Sequence, residues 1–156
     1  MAAKKMAIIA TKGALDMAYP PLILASTAAA LGWEVQVFFT FYGLQLLRKD
    51  LSGIAISPIG NPAMPMPVPM PALVAALPGM EAMATSMMKA KMKKKGVASL
   101  EELRSVCQEA EVKFIACQMT VDLFDFQKSD FIDGIEYGGA ATFMKFAGET
   151  DVCLFI

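Results

Sequence analysis

Short apolar runs alternate along the chain with longer segments whose apolar positions recur at helical spacing. Runs of four to eight β-branched, aromatic or small apolar residues, bounded by polar residues or glycine, are typical of buried strands. The predicted strands are residues 6–11, 33–40, a weaker one at 53–58, 112–117 and 151–156.

Predicted helices fill the intervals between these strands. Asp16 is expected to cap the first helix, which ends before Gly32, and Ser99 with Glu102 forms a capping-box pattern at another. The remaining helices are predicted at 42–49, 79–95, 118–127 and 139–148. Alternating strands and helices predict a single α/β domain over residues 1–156, with a mostly parallel sheet of about five strands and helices on both faces.

A proline- and methionine-rich insert at about 58–95 interrupts this alternation. Residues 58–78 hold seven of the nine prolines, and at 62–71 proline alternates with apolar residues. Proline lacks an amide proton, which excludes a helix or a central strand there and favours extended polyproline-like chain. A methionine-rich helix ending in a lysine cluster is expected to follow.

The insert is apolar enough to raise the question of a membrane. Its prolines argue against a spanning helix, because a spanning segment must satisfy its backbone hydrogen bonds internally. Methionines pack adaptably against protein partners, which favours a protein or subunit interface. The basic end of the helix also fits peripheral contact with an anionic membrane surface.

The composition strengthens the expectation of an interface. Hydrophobic residues make up 56% of the chain and charged residues 19%, with a mean hydropathy of +0.49. A monomer this apolar would expose large apolar patches, so we expect a homo-oligomer. A net charge of −1 gives no indication of nucleic acid as a partner.

The chain contains no histidine, which excludes a Ser-His or Cys-His dyad built within it. Its three cysteines are widely spaced and form no C-x-x-C pair, which argues against a disulfide framework and a zinc site. We therefore expect no cofactor and no metal, and a reducing cytoplasmic location, with membrane association through the insert as an addition.

Cys117 is the candidate catalytic residue. It ends the predicted strand at 112–117, and chemistry in parallel α/β sheets gathers at the carboxyl ends of strands. A helix beginning immediately afterwards would lower the pKa of the thiol through its amides and dipole. The thiolate could take up a sulfane sulfur and pass it to a second thiol without histidine. Alternatively, Cys117 is a small buried apolar residue, as free cysteines often are.

The other cysteines are weaker candidates. Cys107 falls on the apolar stripe of a predicted helix, where it is either core or a resolving thiol. Cys153 lies within the last predicted strand and is expected in the core.

Several segments resemble the DsrE/DsrF/DsrH-like family. They are 114–124 (FIACQMTVDLF) around Cys117, 132–142 (IDGIEYGGAAT), 152–156 (VCLFI), 38–43 (FFTFYG) and the proline-methionine stretch at 61–71. The resemblance covers nearly the whole chain and points to a long-insert branch of the family.

This resemblance implies a flavodoxin-like three-layer fold, oligomers and cytoplasmic sulfur trafficking. Cys117 matches the sulfur-binding cysteine, and rhodanese-like and TusA-like sulfur carriers are the implied partners. One departure is Asp125, where the family pattern has glycine. A carboxylate there would raise the pKa of Cys117 if it pointed inward and would do little on a solvated face.

Three functions remain open at this point. The first is a carrier that holds sulfur as a persulfide on Cys117, and it is an enzyme, a sulfurtransferase, only if transfer is catalytic. The second is a thiol redox protein that reduces peroxide, in which Cys117 becomes a sulfenic acid and Cys107 resolves it. The third is a non-catalytic interaction subunit that acts through the insert at 58–95.

Overall fold

The computed structural model of the chain describes residues 2–58, 68 and 71–156. Its centre is a five-stranded sheet in the order β4-β3-β2-β1-β5, and neighbouring strands pair in parallel throughout. The strands are β1 (Lys5–Ala10), β2 (Glu34–Phe39), β3 (Lys113–Cys117), β4 (Glu136–Gly138) and β5 (Val152–Phe155). The predicted α/β class and parallel sheet are confirmed.

Six α-helices and two 3-10 helices lie in the described part of the chain. The helices are α1 (Leu15–Ala30), α2 (Ala72–Ala75), α3 (Met80–Lys94), α4 (Leu100–Glu109), α5 (Gln118–Leu123) and α6 (Ala140–Ala147), and the 3-10 helices are Phe41–Leu47 and Lys128–Asp130. Ser99 and Glu102 form the predicted capping box at α4. Each of these helices is too short or too polar to cross a bilayer, a finding limited to the described residues.

The sheet separates two apolar clusters, which gives the fold three layers. The larger cluster packs α1 and α4 against one face and includes Leu22, Cys107 and Phe114. The smaller cluster lies under α6 on the other face and includes Cys117 and Phe143. Successive residues of β3 alternate between the two clusters, as side chains on a strand must.

The predicted strand at 53–58 is wrong. Ile54 and Ile56 are buried, so the apolar alternation is real, but the segment does not join the sheet. The carbonyl oxygen of Ala55 accepts the Leu15 amide at the start of α1, and the Ile56 amide donates to the Thr85 hydroxyl of α3. These partners replace those that a neighbouring strand would have supplied.

The sequence analysis also missed one strand and misassigned one helix cap. The fifth strand is β4, whose three residues Glu136–Gly138 are too short and polar to give a strand signal. Asp16 does not cap α1, since Ala14 is the N-cap residue and the Asp16 carboxylate accepts the Ser57 amide at 2.8 Å. Asp16 thus holds the irregular segment that follows Ile56. Gly32 has φ +79 just after α1, in agreement with the predicted stop.

The insert is described in part. The predicted methionine-rich helix is confirmed as α3, of which Thr85 is the buried residue. The predicted polyproline-like conformation at 62–71 lies outside the described residues, apart from Val68 and Pro71.

The 3-10 helix Phe41–Leu47 is held at both ends, by strand β1 near its start and by helix α4 at its end. Gly43 packs so closely on the end of β1 that an added Cβ would overlap the carbonyl oxygen of Ala10. At the other end, the Arg104 guanidinium donates to the carbonyl oxygens of Leu46 and Arg48 at 2.9 and 2.6 Å. The loop after β2 therefore has a defined position beside the sheet.

We expect Gly43→Ala to lower the free energy of unfolding by about 2–3 kcal/mol, because the new methyl group overlaps backbone rather than a movable side chain. Urea denaturation measures this loss. Gly53→Ala is the matched control, since its added Cβ meets nothing within 4 Å. Equal stability of the two variants would contradict the close approach at Gly43.

Candidate functional site

Cys117 lies at the carboxyl end of β3 and is the N-cap residue of α5, where the sequence predicts it. The parallel register pairs Phe39 with Ala116, which brings Thr40, the next residue after β2, beside Cys117. On the other side Cys117 pairs with Gly138, where an added Cβ would press against the Thr142 side chain. Cys117 is only 5% exposed, so the thiol sits just below the surface.

Uncharged groups control the ionisation of this thiol. Burial disfavours the thiolate and by itself raises the pKa of Cys117. The hydroxyl and amide of Thr120, the Thr40 hydroxyl and the Met119 amide oppose that effect and leave the pKa below its ordinary value. Hydrogen bonds to the charged form favour it, and all the groups that lower the pKa of Cys117 are uncharged.

Thr120 and Thr40 are the polar side chains of the site. Thr120 is fully buried, and its Oγ1 lies 3.1 Å from Oγ1 of Thr40. The Phe41 amide also donates to Thr120 Oγ1, at 3.3 Å. The sequence analysis missed both threonines, although a signal was available. Each is a polar residue shortly after an apolar strand: Thr40 directly after β2, and Thr120 three residues after the end of β3.

Phe41 has a strained backbone at this position. Its φ is +48°, in the left-handed region that residues other than glycine rarely adopt. Such conformations cost on the order of 1–3 kcal/mol and occur mainly where the surroundings enforce them. Here the backbone turns from β2 into the 3-10 helix while its amide stays bonded to Thr120.

Exposed apolar side chains line α5 and the neighbouring 3-10 helix, a surface we call the apolar rim (Phe41, Tyr42, Met119 and Leu123). They are 45%, 65%, 60% and 58% exposed. Tyr42 stacks on Phe124 with ring centroids 6.1 Å apart. The rim lies beside Cys117, since Met119 follows it by two residues on α5.

Two acidic residues, Asp122 and Asp125, follow Cys117 along the chain. Asp122 accepts a hydrogen bond from the Gln118 side chain at 2.7 Å, across one turn of α5. Asp125 is exposed and has φ +54°, which explains why glycine suits this position. Asp125 is absent from the groups that shift the pKa of Cys117, as expected for a carboxylate on a solvated face.

Cys107 lies on the opposite side of the sheet from Cys117. Its sulfur donates to the Leu22 carbonyl at 3.4 Å inside the larger cluster, and burial raises its pKa to about 11. Disulfide formation requires Cα atoms within roughly 7 Å, which the intervening sheet does not allow for these two cysteines.

Cys153 is exposed, so its predicted core position is wrong. It pairs with Ala7 on the face that α6 covers, but β5 is an edge strand beyond the cover of that helix. Within the described ranges, no three His, Cys, Asp or Glu side chains converge to hold a metal ion.

Comparison with known proteins agrees with the resemblance noted in the sequence. The sequence profile of the DsrE/DsrF/DrsH-like family matches residues 2–155. The chain is 69% identical over 160 residues to the "Sulfur carrier protein DsrE2" of Allochromatium vinosum, with 100% of both chains covered. It is 34% identical over 158 residues to the uncharacterized protein YrkE of Bacillus subtilis, covering 98% of this chain and 97% of that one.

Among solved structures, the ychN protein from E. coli has the same fold. The TM-score is 0.56 at 12% sequence identity, and the superposition covers 98% of this chain and 99% of that chain. At this identity the likeness concerns the fold alone, and it agrees with the predicted flavodoxin-like architecture. With the profile match over nearly the whole length and two relatives above 30% identity, the chain belongs to the DsrE/DsrF/DrsH-like family.

Proposed function

We propose that this protein is a sulfur carrier that holds sulfane sulfur as a persulfide on Cys117 and exchanges it with partner thiols. The observation that carries the proposal is the thiol at the end of β3, whose pKa is lowered by neutral donors despite its burial. The 69% identical relative is named a sulfur carrier, which agrees with this chemistry.

The exchange needs no acid or base from the chain. The Cys117 thiolate attacks the outer sulfur of a donor persulfide, and a new S–S bond forms as the donor's S–S bond breaks. The donor leaves as a thiolate, and the proton of the transferred sulfur stays on it or passes to water. Oxidation states balance, because one persulfide replaces another. A chain without histidine is suited to this reaction.

Protein partners fit the site better than free substrate alone. A thiol that is 5% exposed beside the apolar rim favours a partner that covers the rim and presents its own thiol. Rhodanese-like and TusA-like sulfur carriers are the partners we propose. If transfer to them is catalytic, the protein is a sulfurtransferase with a cysteine persulfide intermediate.

The assembly and location follow from other surfaces. Phe155 is 74% exposed on the edge strand β5 and Met144 is 61% exposed on α6, which supports a homo-oligomer. On α3, Met83 and Met87 are exposed and the last turn is rich in lysine, which suits peripheral contact with anionic lipid. We infer a cytoplasmic protein with this optional membrane contact.

The peroxide-reducing alternative is less well supported. It needs Cys107 to resolve a sulfenic acid at Cys117, but the sheet lies between the two thiols. The high pKa of Cys107, about 11, also makes it a poor attacking group at neutral pH.

The first test is sulfur loading. After brief polysulfide treatment we expect intact-protein mass spectrometry to find more added sulfur, removable by dithiothreitol, on wild type than on Cys117→Ser, which keeps the exposed Cys153 thiol. Cys153→Ser is the matched control, because that thiol is exposed and should not be required. Equal loading of wild type and Cys117→Ser would refute the proposal.

The second test is the pH dependence of alkylation. A lowered pKa leaves more thiolate at a given pH, so the rate for Cys117 should reach half its maximum at a lower pH than the rate for an unperturbed cysteine thiol in a model peptide. Cys107, with a pKa of about 11, should not react with iodoacetamide between about pH 6 and 9. Peptide mapping separates the cysteines, and a half-maximum for Cys117 at or above that of the model peptide would contradict the lowered pKa.

The third test concerns the apolar rim. Leu123→Glu should slow sulfur transfer to a TusA-like carrier about tenfold, while polysulfide loading of Cys117 stays normal. Leu31→Glu is the control, since Leu31 is 69% exposed at the C-terminal end of α1. An unchanged transfer rate in Leu123→Glu would exclude the rim as the docking surface.

A further inference from the structure

The hydrogen-bond capacity of Thr120 is almost fully used inside the protein. A threonine hydroxyl can donate one hydrogen bond and accept two. The Phe41 N–H can only donate, so its hydrogen bond of 3.3 Å occupies one acceptor site of Thr120 Oγ1. Thr40 Oγ1 is the second partner, at 3.1 Å, and either hydroxyl can be the donor of that bond.

The single Thr40 proton can go either to Thr120 or to the Cys117 sulfur, and when it goes to Thr120 both acceptor sites of Thr120 are filled. The Thr120 proton then has one use left, which is donation to a different acceptor. The sulfur of Cys117 is the acceptor next to it along the chain, since Cys117 is the N-cap residue of α5 and Thr120 follows three residues later in the first turn of that helix. The Thr120 hydroxyl is also among the groups that lower the pKa of Cys117. Complete burial of Thr120 removes water as a competitor for that proton.

The register of β2 and β3 brings Thr40 and the Phe41 amide to the side of Cys117 and α5. Phe39 opposite Ala116 brings the following residues, Thr40 and Cys117, side by side at the edge of the sheet. The extended backbone of Thr40 leads directly to Phe41, whose left-handed conformation is kept although it is strained. Both the hydroxyl and the amide that occupy Thr120 therefore come from one short loop.

We propose that Thr120 donates a hydrogen bond to the sulfur anion of Cys117, to the thiolate before transfer and to the persulfide afterwards, and that Thr40 is a positioning residue that directs the Thr120 proton. The proposal rests on the sulfur-carrier function and adds the group that holds the sulfur. Neutral hydroxyls stabilise an anion more weakly than a lysine or arginine would, which leaves the sulfur free to depart.

The decisive variant is Thr120→Val, which keeps the shape and removes the hydroxyl. A hydrogen bond to a charged group is worth enough that its loss should raise the pKa of Cys117 by about one to two units. Thr120→Ser should restore the pKa, and Thr40→Val should raise it less. The pKa is measured by alkylation of sulfur-free protein as a function of pH.

Sulfur uptake gives a second readout that a purely structural role would not produce. A higher pKa reduces the thiolate fraction but makes each thiolate more nucleophilic, so uptake at pH 7 should fall only about three- to tenfold. Above both pKa values, Thr120→Val should take up sulfur at least as fast as wild type. A loss of uptake that is the same at all pH values would overturn the proposal.

Thr85→Val is the matched control. Thr85 is also buried, and its hydroxyl accepts the Ile56 amide at 3.0 Å on α3, away from Cys117. An equal pKa rise in Thr85→Val would make the effect of Thr120 merely structural and overturn the proposal. If Thr120→Val does not fold, Thr40→Val decides, and an unchanged pKa in it would refute the hydroxyl pair.

The outcomes separate this inference from the proposed function. If wild type takes up no sulfur on Cys117, the sulfur-carrier proposal fails and the role for Thr120 in holding sulfur fails with it. If wild type loads normally and Thr120→Val has the wild-type pKa, the carrier proposal stands and only the role of Thr120 is overturned.

Discussion

The parallel register between β2 and β3 aligns Phe39 with Ala116, and the site at Cys117 depends on that alignment. A shift of one residue would turn Cys117 to the opposite face and move it from the smaller cluster into the larger one. Thr40 would no longer lie beside it, and the hydroxyl pair with Thr120 would be lost. The register is itself enforced by alternating burial, since Phe114 and Ala116 fill one cluster while Ile115 and Cys117 fill the other.

Around this pairing, the loop after β2 is held more rigidly than its length suggests. Gly43 permits close approach to the end of β1, and Arg104 binds the two carbonyl groups at the far end of the 3-10 helix. The strained conformation of Phe41 lies just before these two attachments, and its amide donates to Thr120. In the proposed carrier, a loop attached in this way would keep the polar groups oriented before sulfur is bound, so that little reorganisation would accompany binding.

Neutral stabilisation of the sulfur suits a carrier. A cation next to a buried thiolate would hold the negative sulfur tightly. Hydroxyl and amide donors instead lower the pKa of Cys117 without adding a fixed charge. The apolar rim complements this arrangement, because a partner that covers it excludes water during exchange. Cys107, by contrast, is a core residue whose raised pKa and position beneath the sheet remove it from the chemistry.

The sequence alone determined the features that depend on neighbours along the chain. Four of the five strands, the capping box of α4 and the position of Cys117 between β3 and α5 follow from apolar periodicity and local hydrogen bonding. Strand order, the edge position that exposes Cys153 and the meeting of Thr40 with Thr120 were decided by tertiary structure. The segment around Ile54 and Ile56 shows the difference, because its apolar alternation was correct but its backbone bonds elsewhere. The Ala55 carbonyl accepts from α1 and the Ile56 amide donates to α3 instead of to a neighbouring strand. The physical reason is that register, burial and hydrogen-bond partners are set by residues far apart in the chain, whose proximity no local pattern encodes.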